Sequence, residues 1–217
     1  MRISSEALRQ VANTLNDEQV ASLIDHTELN PHVLKKKIRS ICVEADTHRF
    51  ATVCVNSCWV REASQFLKSR SSHIGVASVV GFPLGQMFTA SKSYEASDAV
   101  ADGATEIDMV INVGSIREMT AMTGEEAQRI HESIHDDIGT VVKKPDGVPV
   151  KVILETGFLT DQEVVEAYRI SEEAGAAFVK ISTGFGPMGA LKCLRVLKPI
   201  LRIRGLPSFS ASLSLLM

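Results

Sequence analysis

The stretch Glu173-Ala174-Gly175-Ala176-Ala177-Phe178-Val179-Lys180-Ile181-Ser182-Thr183-Gly184 decides how this chain folds. A helical segment ends in an alanine–glycine pair, an apolar run follows, and small residues with a glycine close it. The glycine supplies the left-handed stop that helix C-termini favour, and the run after it has the length of a strand. The same arrangement occurs at Ala101-Asp102-Gly103-Ala104, with a second apolar run starting at Glu106. A helix–glycine–strand module used twice predicts βα units on a parallel sheet, either a barrel or a doubly wound sheet.

Extending the pattern outward predicts strands at residues 21–25, 50–55, 73–81, 106–112, 149–155 and 178–182. Helices are predicted from Asn30-Pro31 to about Asp46, then over 57–69, 89–101 and 161–174, with another near 190–197. A long polar helical region fills 115–142. Six strands fall short of the eight that close a (β/α)8 barrel. Residues 202–217 differ in composition from the rest. Their serine/apolar alternation could make one more strand, but they carry no turn chemistry and no helix. The expected organisation is one α/β barrel-type domain over 1–205, incomplete at about six βα units, with an aberrant tail at 206–217.

With 217 residues, 45% hydrophobic and 23% charged, the composition is that of an ordinary globular domain. A net charge of −3 and a pI near 6.1 argue against nucleic acid or an anionic membrane as partner. The longest apolar runs are strand-sized, too short for a membrane span. Met1-Arg2-Ile3-Ser4-Ser5-Glu6 lacks a secretory core, so a cytoplasmic location is expected. Cys42, Cys54, Cys58 and Cys193 show no framework spacing and read as reduced core or half-buried thiols. Cys54 and Cys58 have no second pair to make a zinc site.

Several predicted strands carry a charge out of character with a core. These are Asp25, Asp108, Lys151, Glu155 and Lys180. Burial disfavours an ammonium, so a strand lysine is expected to have a lowered pKa and to offer a free amine that can attack carbonyls. Alternation places Lys151, Ile153 and Glu155 on one face and separates Asp108 from Ile107 and Met109. Taken singly, each charge reads first as a paired core ion, and Lys180 as a lysine snorkelling to its strand end. Together they point to one polar interior in which neighbouring lysines depress each other's pKa and a carboxylate relays protons.

Five segments in order carry a resemblance. They are Leu23-Ile24-Asp25-His26-Thr27-Glu28-Leu29, Val79-Val80-Gly81-Phe82-Pro83-Leu84-Gly85, Glu106-Ile107-Asp108-Met109-Val110-Ile111-Asn112, Lys151-Val152-Ile153-Leu154-Glu155-Thr156-Gly157 and the Lys180 run through Pro187. Over residues 20–190 the chain resembles deoxyribose-phosphate aldolases, class I Schiff-base lyases on a TIM barrel. The resemblance implies cleavage of 2-deoxyribose 5-phosphate to acetaldehyde and glyceraldehyde 3-phosphate with no metal or organic cofactor. It implies a small phosphosugar partner, and leaves a homodimer open. Position by position, Lys180 is similar to the Schiff-base lysine, Asp108 to the proton-relay carboxylate and Lys151 to the strand lysine of that cluster. Asp25 and Thr27 match supporting polar residues, and Thr183 and Gly184 match a turn that holds substrate phosphate through backbone N–H groups. Cys54 matches a cysteine near the substrate, with a packed thiol as its alternative.

The pattern also departs from that family. Its second critical lysine, after the seventh strand, its Gly-Gly-x-Arg loop and its Gly-Ser-Ser segment have no counterpart, and Ser208-Phe209-Ser210-Ala211-Ser212 stands where the lysine segment is expected. Ile181 replaces a small polar residue. A truncated or mis-spliced product is therefore expected, with a catalytically impaired remnant acting only as an oligomeric partner as the alternative. Another Schiff-base aldolase is disfavoured by Asp25-His26-Thr27 and the 106–112 segment.

One rival motif remains, His131-Glu132-Ser133-Ile134-His135, which fits the zinc-hydrolase pattern H-E-x-x-H with Glu155 as a third ligand. Its setting, a polar helix over 125–137, reads as a solvated outer face. His26, His32, His48 and His73 read as structural or surface residues, with His26 close enough to influence Asp25. Trp59 and Phe66, seven apart on one predicted helix, read as core packing.

Overall fold

The computed structural model describes residues 16–144, 147–186 and 213–216. A short helix, α1 (Asp17–Ala21), opens it, closed by a reciprocal box in which Asn16 accepts from the Gln19 N–H and Gln19 returns the bond to the Asn16 N–H. That cap holds Ala21 in a helix, so the first strand is not 21–25 but β1 (Ile24–Glu28). Pro31 lies in a turn ahead of α2 (Lys35–His48) rather than in its first turn.

Then follow β2 (Thr52–Asn56), a 3-10 turn at Ser57–Trp59, α3 (Val60–Ser69), β3 (Gly75–Val80), α4 (Thr89–Ala101) and β4 (Glu106–Val110). The polar region is two helices, α5 (Val113–Ala121) and α6 (Gly124–Lys143). Asn112 caps α5 by accepting from the Ser115 N–H, and the chain leaves it in extended conformation at Met122. After these come β5 (Val150–Ile153), a 3-10 turn at Thr156–Phe158, α7 (Asp161–Glu173), β6 (Phe178–Lys180) and β7 (Leu213–Leu216). Gly103 and Gly175 hold φ of 108° and 89°, as expected of helix stops. The predicted helix near 190–197, and Cys193, lie outside the described residues.

All pairings are parallel, in the order β6-β5-β4-β3-β2-β1-β7. The serine-rich tail thus does supply a strand, and it lies against β1 with Ile24 opposite Leu213. Alternation divides the sheet into two faces. Val53, Val55, Ile107, Met109, Val150 and Val152 point to the helices and join Ile38, Ile41, Ile138 and Tyr168 in the main core. Asp25, Thr27, Cys54, Asp108, Lys151 and Lys180 take the other face, beside an apolar patch of Leu29, Ala77, Val79 and Phe82.

The second face must be concave. Lys151 on β5 donates to Asp25 on β1 at 3.1 Å, across three intervening strands. In a flat sheet those strands stand roughly 19 Å apart, far beyond a lysine's reach. The sheet therefore wraps round this face as barrel strands do.

Two smaller expectations change. Trp59 lies in the 3-10 turn and not on the helix of Phe66, although both pack against the core. Cys42 and Cys54 are buried thiols, whereas Cys58 is exposed. Among the described residues no helix is long and apolar enough to cross a membrane.

Candidate active site

The inner face is stacked in layers set by strand register. Asp108 on β4 stands beside Lys151 on β5, and Lys180 on β6 stands one layer higher beside Ile153. Asp108 is fully buried, and Lys180 donates to its Oδ2 at 2.8 Å. Lys151 sits beneath, with its Nζ 3.5 Å from Asp108 Oδ1 and bonded to both Asp25 and Glu106. Thr52 donates to the second oxygen of Asp25 at 2.8 Å. Two lysines and three carboxylates thus form one cluster, with Asp108 as the group common to both lysines.

This arrangement reverses the expected electrostatics. Burial pushes the Lys180 ammonium down, but Asp108, with smaller help from Cys54 and Asp25, outweighs it, and Lys180 is held above the ordinary lysine value. Lys151 is raised likewise, with Asp108, Asp25 and Glu106 overcoming its desolvation. Both lysines therefore end above the ordinary value instead of below it, because the surrounding anions outweigh burial. Burial would push Asp108 up, yet the two ammoniums outweigh it and keep it below the usual carboxylate range. Glu106 goes the other way: burial lifts it in spite of Lys151.

The predicted residues take unequal places. Lys180, Asp108, Lys151 and Asp25 form the cluster. Thr27 faces the same side, but its hydroxyl donates to the carbonyl of Asp25 at 2.9 Å. Cys54 Sγ lies 4.0 Å from Asp108 Oδ2, and burial pushes the thiol up to about 12, so it packs as a neutral group. Thr183 is buried and Gly184 exposed on the loop leaving β6. The Thr183 N–H, expected for phosphate, donates to Glu155 at 3.0 Å.

Glu155 itself does not share a strand face with Lys151 and Ile153. The strand ends at Ile153, and Glu155 takes a left-handed backbone (φ 48°, ψ 58°). His26 points to the helix side, where it meets Glu44 at 2.9 Å, so alternation separates it from Asp25. Glu106 and Thr52 were not singled out from sequence. Glu106 was legible as the residue two before Asp108, on the same face. Thr52 is placed by its register opposite Asp25, which no local pattern carries.

The zinc-hydrolase ligands are not gathered. His131 lies 3.6 Å from Glu173, His135 3.6 Å from Asp136, and Glu132 accepts from Gln128. Among the described residues no group of three His, Cys, Asp or Glu could hold a metal ion.

A sequence profile of the DeoC/LacD family of aldolases matches residues 19–194. The chain belongs to this family. As a DeoC/LacD aldolase it is 44% identical over 176 residues to the deoxyribose-phosphate aldolase of Methanocella arvoryzae, covering 81% of this chain and 74% of that protein. It is 47% identical over 174 residues to the deoxyribose-phosphate aldolase of Caldanaerobacter subterraneus, covering 79% and 70%. The solved tetrameric deoxyribose phosphate aldolase of Aeropyrum pernix superposes with a TM-score of 0.75 at 27% identity, over 96% of this chain and 84% of that one. The α/β fold is accordingly a (β/α)8-barrel type, represented by six βα-ordered strands and β7.

Proposed function

We propose that the inner-face cluster is a class I aldolase site that cleaves 2-deoxyribose 5-phosphate to acetaldehyde and glyceraldehyde 3-phosphate. The observation that carries this reading is Lys180 at a strand end, buried and bonded at 2.8 Å to a carboxylate that also faces a second lysine. The chemistry needs no metal or organic cofactor.

The Lys180 amine adds to the aldehyde carbon of the open-chain sugar, and loss of water gives an iminium. The electron pair of the C–C bond beyond the α-carbon flows into that iminium as the β-hydroxyl passes its proton, directly or through water, to the ionised Asp108 carboxylate, releasing glyceraldehyde 3-phosphate. The remaining enamine takes a proton on carbon, through Asp108 or a water it orients, and hydrolysis returns acetaldehyde and the amine. Asp108 suits this part because it stays ionised and touches the Lys180 nitrogen. Lys151 holds Asp108 ionised and ties it to Asp25. The raised pKa of Lys180 means that only a small fraction is free amine at neutral pH, which limits the first step.

The test is reduction with borohydride in the presence of acetaldehyde, followed by peptide mass mapping. An ethyl group on Lys180 is expected, and its absence from folded protein overturns the reading.

A further inference from the structure

Glu155 is a buried carboxylate that the proposed chemistry does not use. It takes three donors from the loop after Lys180: Ser182 Oγ at 2.9 Å, Thr183 N at 3.0 Å and Thr183 Oγ1. Its left-handed backbone is uncommon for a residue with a side chain, and it ends β5 early. On either side the ladder continues, with Leu154 N donating to Lys180 O and Thr156 N to Ile181 O, each at 2.8 Å. Gly186 closes over the carboxylate so tightly that a Cβ there would stand 2.8 Å from Glu155 Oε1. The carboxylate is clasped by Ser182, Thr183 and Gly186 of the loop 182–186.

The clasp fixes which donors the loop can offer. With both hydroxyl protons drawn to Glu155, the Ser182 and Thr183 oxygens turn their lone pairs to Gly184 N and Phe185 N, at 3.0 Å each. Among the described residues those two N–H groups, on exposed residues, are bonded to neutral hydroxyl oxygens. A phosphate oxygen is a far better acceptor. The Thr183 N–H is already committed to a carboxylate.

We infer that Glu155 is a positioning residue that presets the 182–186 turn, so that Gly184 N and Phe185 N, rather than Thr183 N, hold the phosphate of the substrate. The inference rests on the aldolase reading of the preceding subsection. It treats Glu155 as an internal anion that organises the turn from behind while the substrate's anion binds in front.

The experiment compares Lys180 adducts trapped by borohydride from 2-deoxyribose 5-phosphate and from acetaldehyde, which has no phosphate. It is paired with amide hydrogen exchange over 182–186. In Glu155→Ala the ratio of phosphosugar to acetaldehyde adduct should fall about ten-fold, the worth of one charge-assisted hydrogen bond, with Glu155→Gln between it and wild type. Exchange at 183–185 should rise in the same order. Inorganic phosphate should slow exchange at 184 and 185 in wild type only. An unchanged ratio, or equal loss of both adducts, overturns the inference.

If wild type forms no adduct with either compound, the aldolase reading fails, and exchange alone then decides the clasp: unchanged rates in Glu155→Ala overturn it. Should Glu155→Ala not fold, Glu155→Gln and Thr183→Val carry the test, and their adduct ratios must fall without further loss when combined.

Discussion

Lys92 and Lys180 are both buried lysines that meet a carboxylate at nearly the same distance, 2.6 Å to Asp137 and 2.8 Å to Asp108. Lys92 on α4 is wholly buried between helices, and Asp137 on α6 is completed by Thr89, which donates to its other oxygen at 2.7 Å. That pair is closed: each charge has a dedicated partner and neither faces the sheet interior. Lys180 shares its carboxylate with Lys151 and stands on the concave face beside the exposed loop at 184–185. Burial and an ion pair therefore do not mark a nucleophile. What sets Lys180 apart is that its one carboxylate partner also faces a second ammonium, Lys151, and the proposed aldolase chemistry rests on that sharing.

The largest effect separates the two lysines outright. Lys180→Leu should abolish the acetaldehyde adduct, and peptide mapping after borohydride should find none on Lys92; an adduct on Lys92 would break the contrast. Asp108→Asn comes next. Turnover should drop about 10²–10⁴-fold through loss of the proton-transferring group. Trapping at neutral pH should instead rise, because burial then acts on Lys180 without the anion that holds its proton.

For the closed pair the effect is on stability. Lys92→Met strands Asp137 and should cost about 3–5 kcal/mol in urea unfolding, most of it recovered in Lys92→Met with Asp137→Leu. The adduct ratio between phosphosugar and acetaldehyde should not follow that loss. A smaller, graded effect is pH. Since Lys180 lies above its ordinary value, trapping should climb about ten-fold per pH unit through the alkaline range without levelling near the ordinary lysine pKa. The raised lysine values add stability that is complete below the ordinary lysine pKa and is lost as pH rises through the folded-state values. Asp108 acts oppositely: its contribution is present above the ordinary carboxylate range and is lost as pH falls through its depressed value. The smallest effect is that of His131→Ala, expected to stay within about 0.5 kcal/mol and to leave trapping unchanged.

Much of this was readable in one dimension because a parallel sheet writes itself locally. Glycine stops at 103 and 175, period-two charges and the small-residue turn after Lys180 all depend on neighbours along the chain. What escaped depends on neighbours in space. The cap at Asn16 outweighs the apolar look of Ala21 and delays the first strand. Asp137 reads as one more acid on a polar helix until Lys92 arrives from 45 residues away. Sequence could show that Lys180 was buried, but the sign of its pKa shift belongs to neighbours on other strands, Asp108 first among them. Glu155 kept its place in the pattern and lost its expected face, since a left-handed residue breaks the alternation on which the expectation stood.

The pairing of β1 with β7 has a consequence for how the chain is made. Residues 24–27 find one neighbour in β2, close behind them, and the other in residues 213–216. During synthesis β1 emerges before its second neighbour and offers its outer edge while the residues up to 213 are made. An unpaired edge of alternating buried side chains invites pairing with another chain. Crowded polysomes and slow translation should therefore raise the fraction lost to aggregation, and holdase chaperones should protect the nascent chain most during that interval.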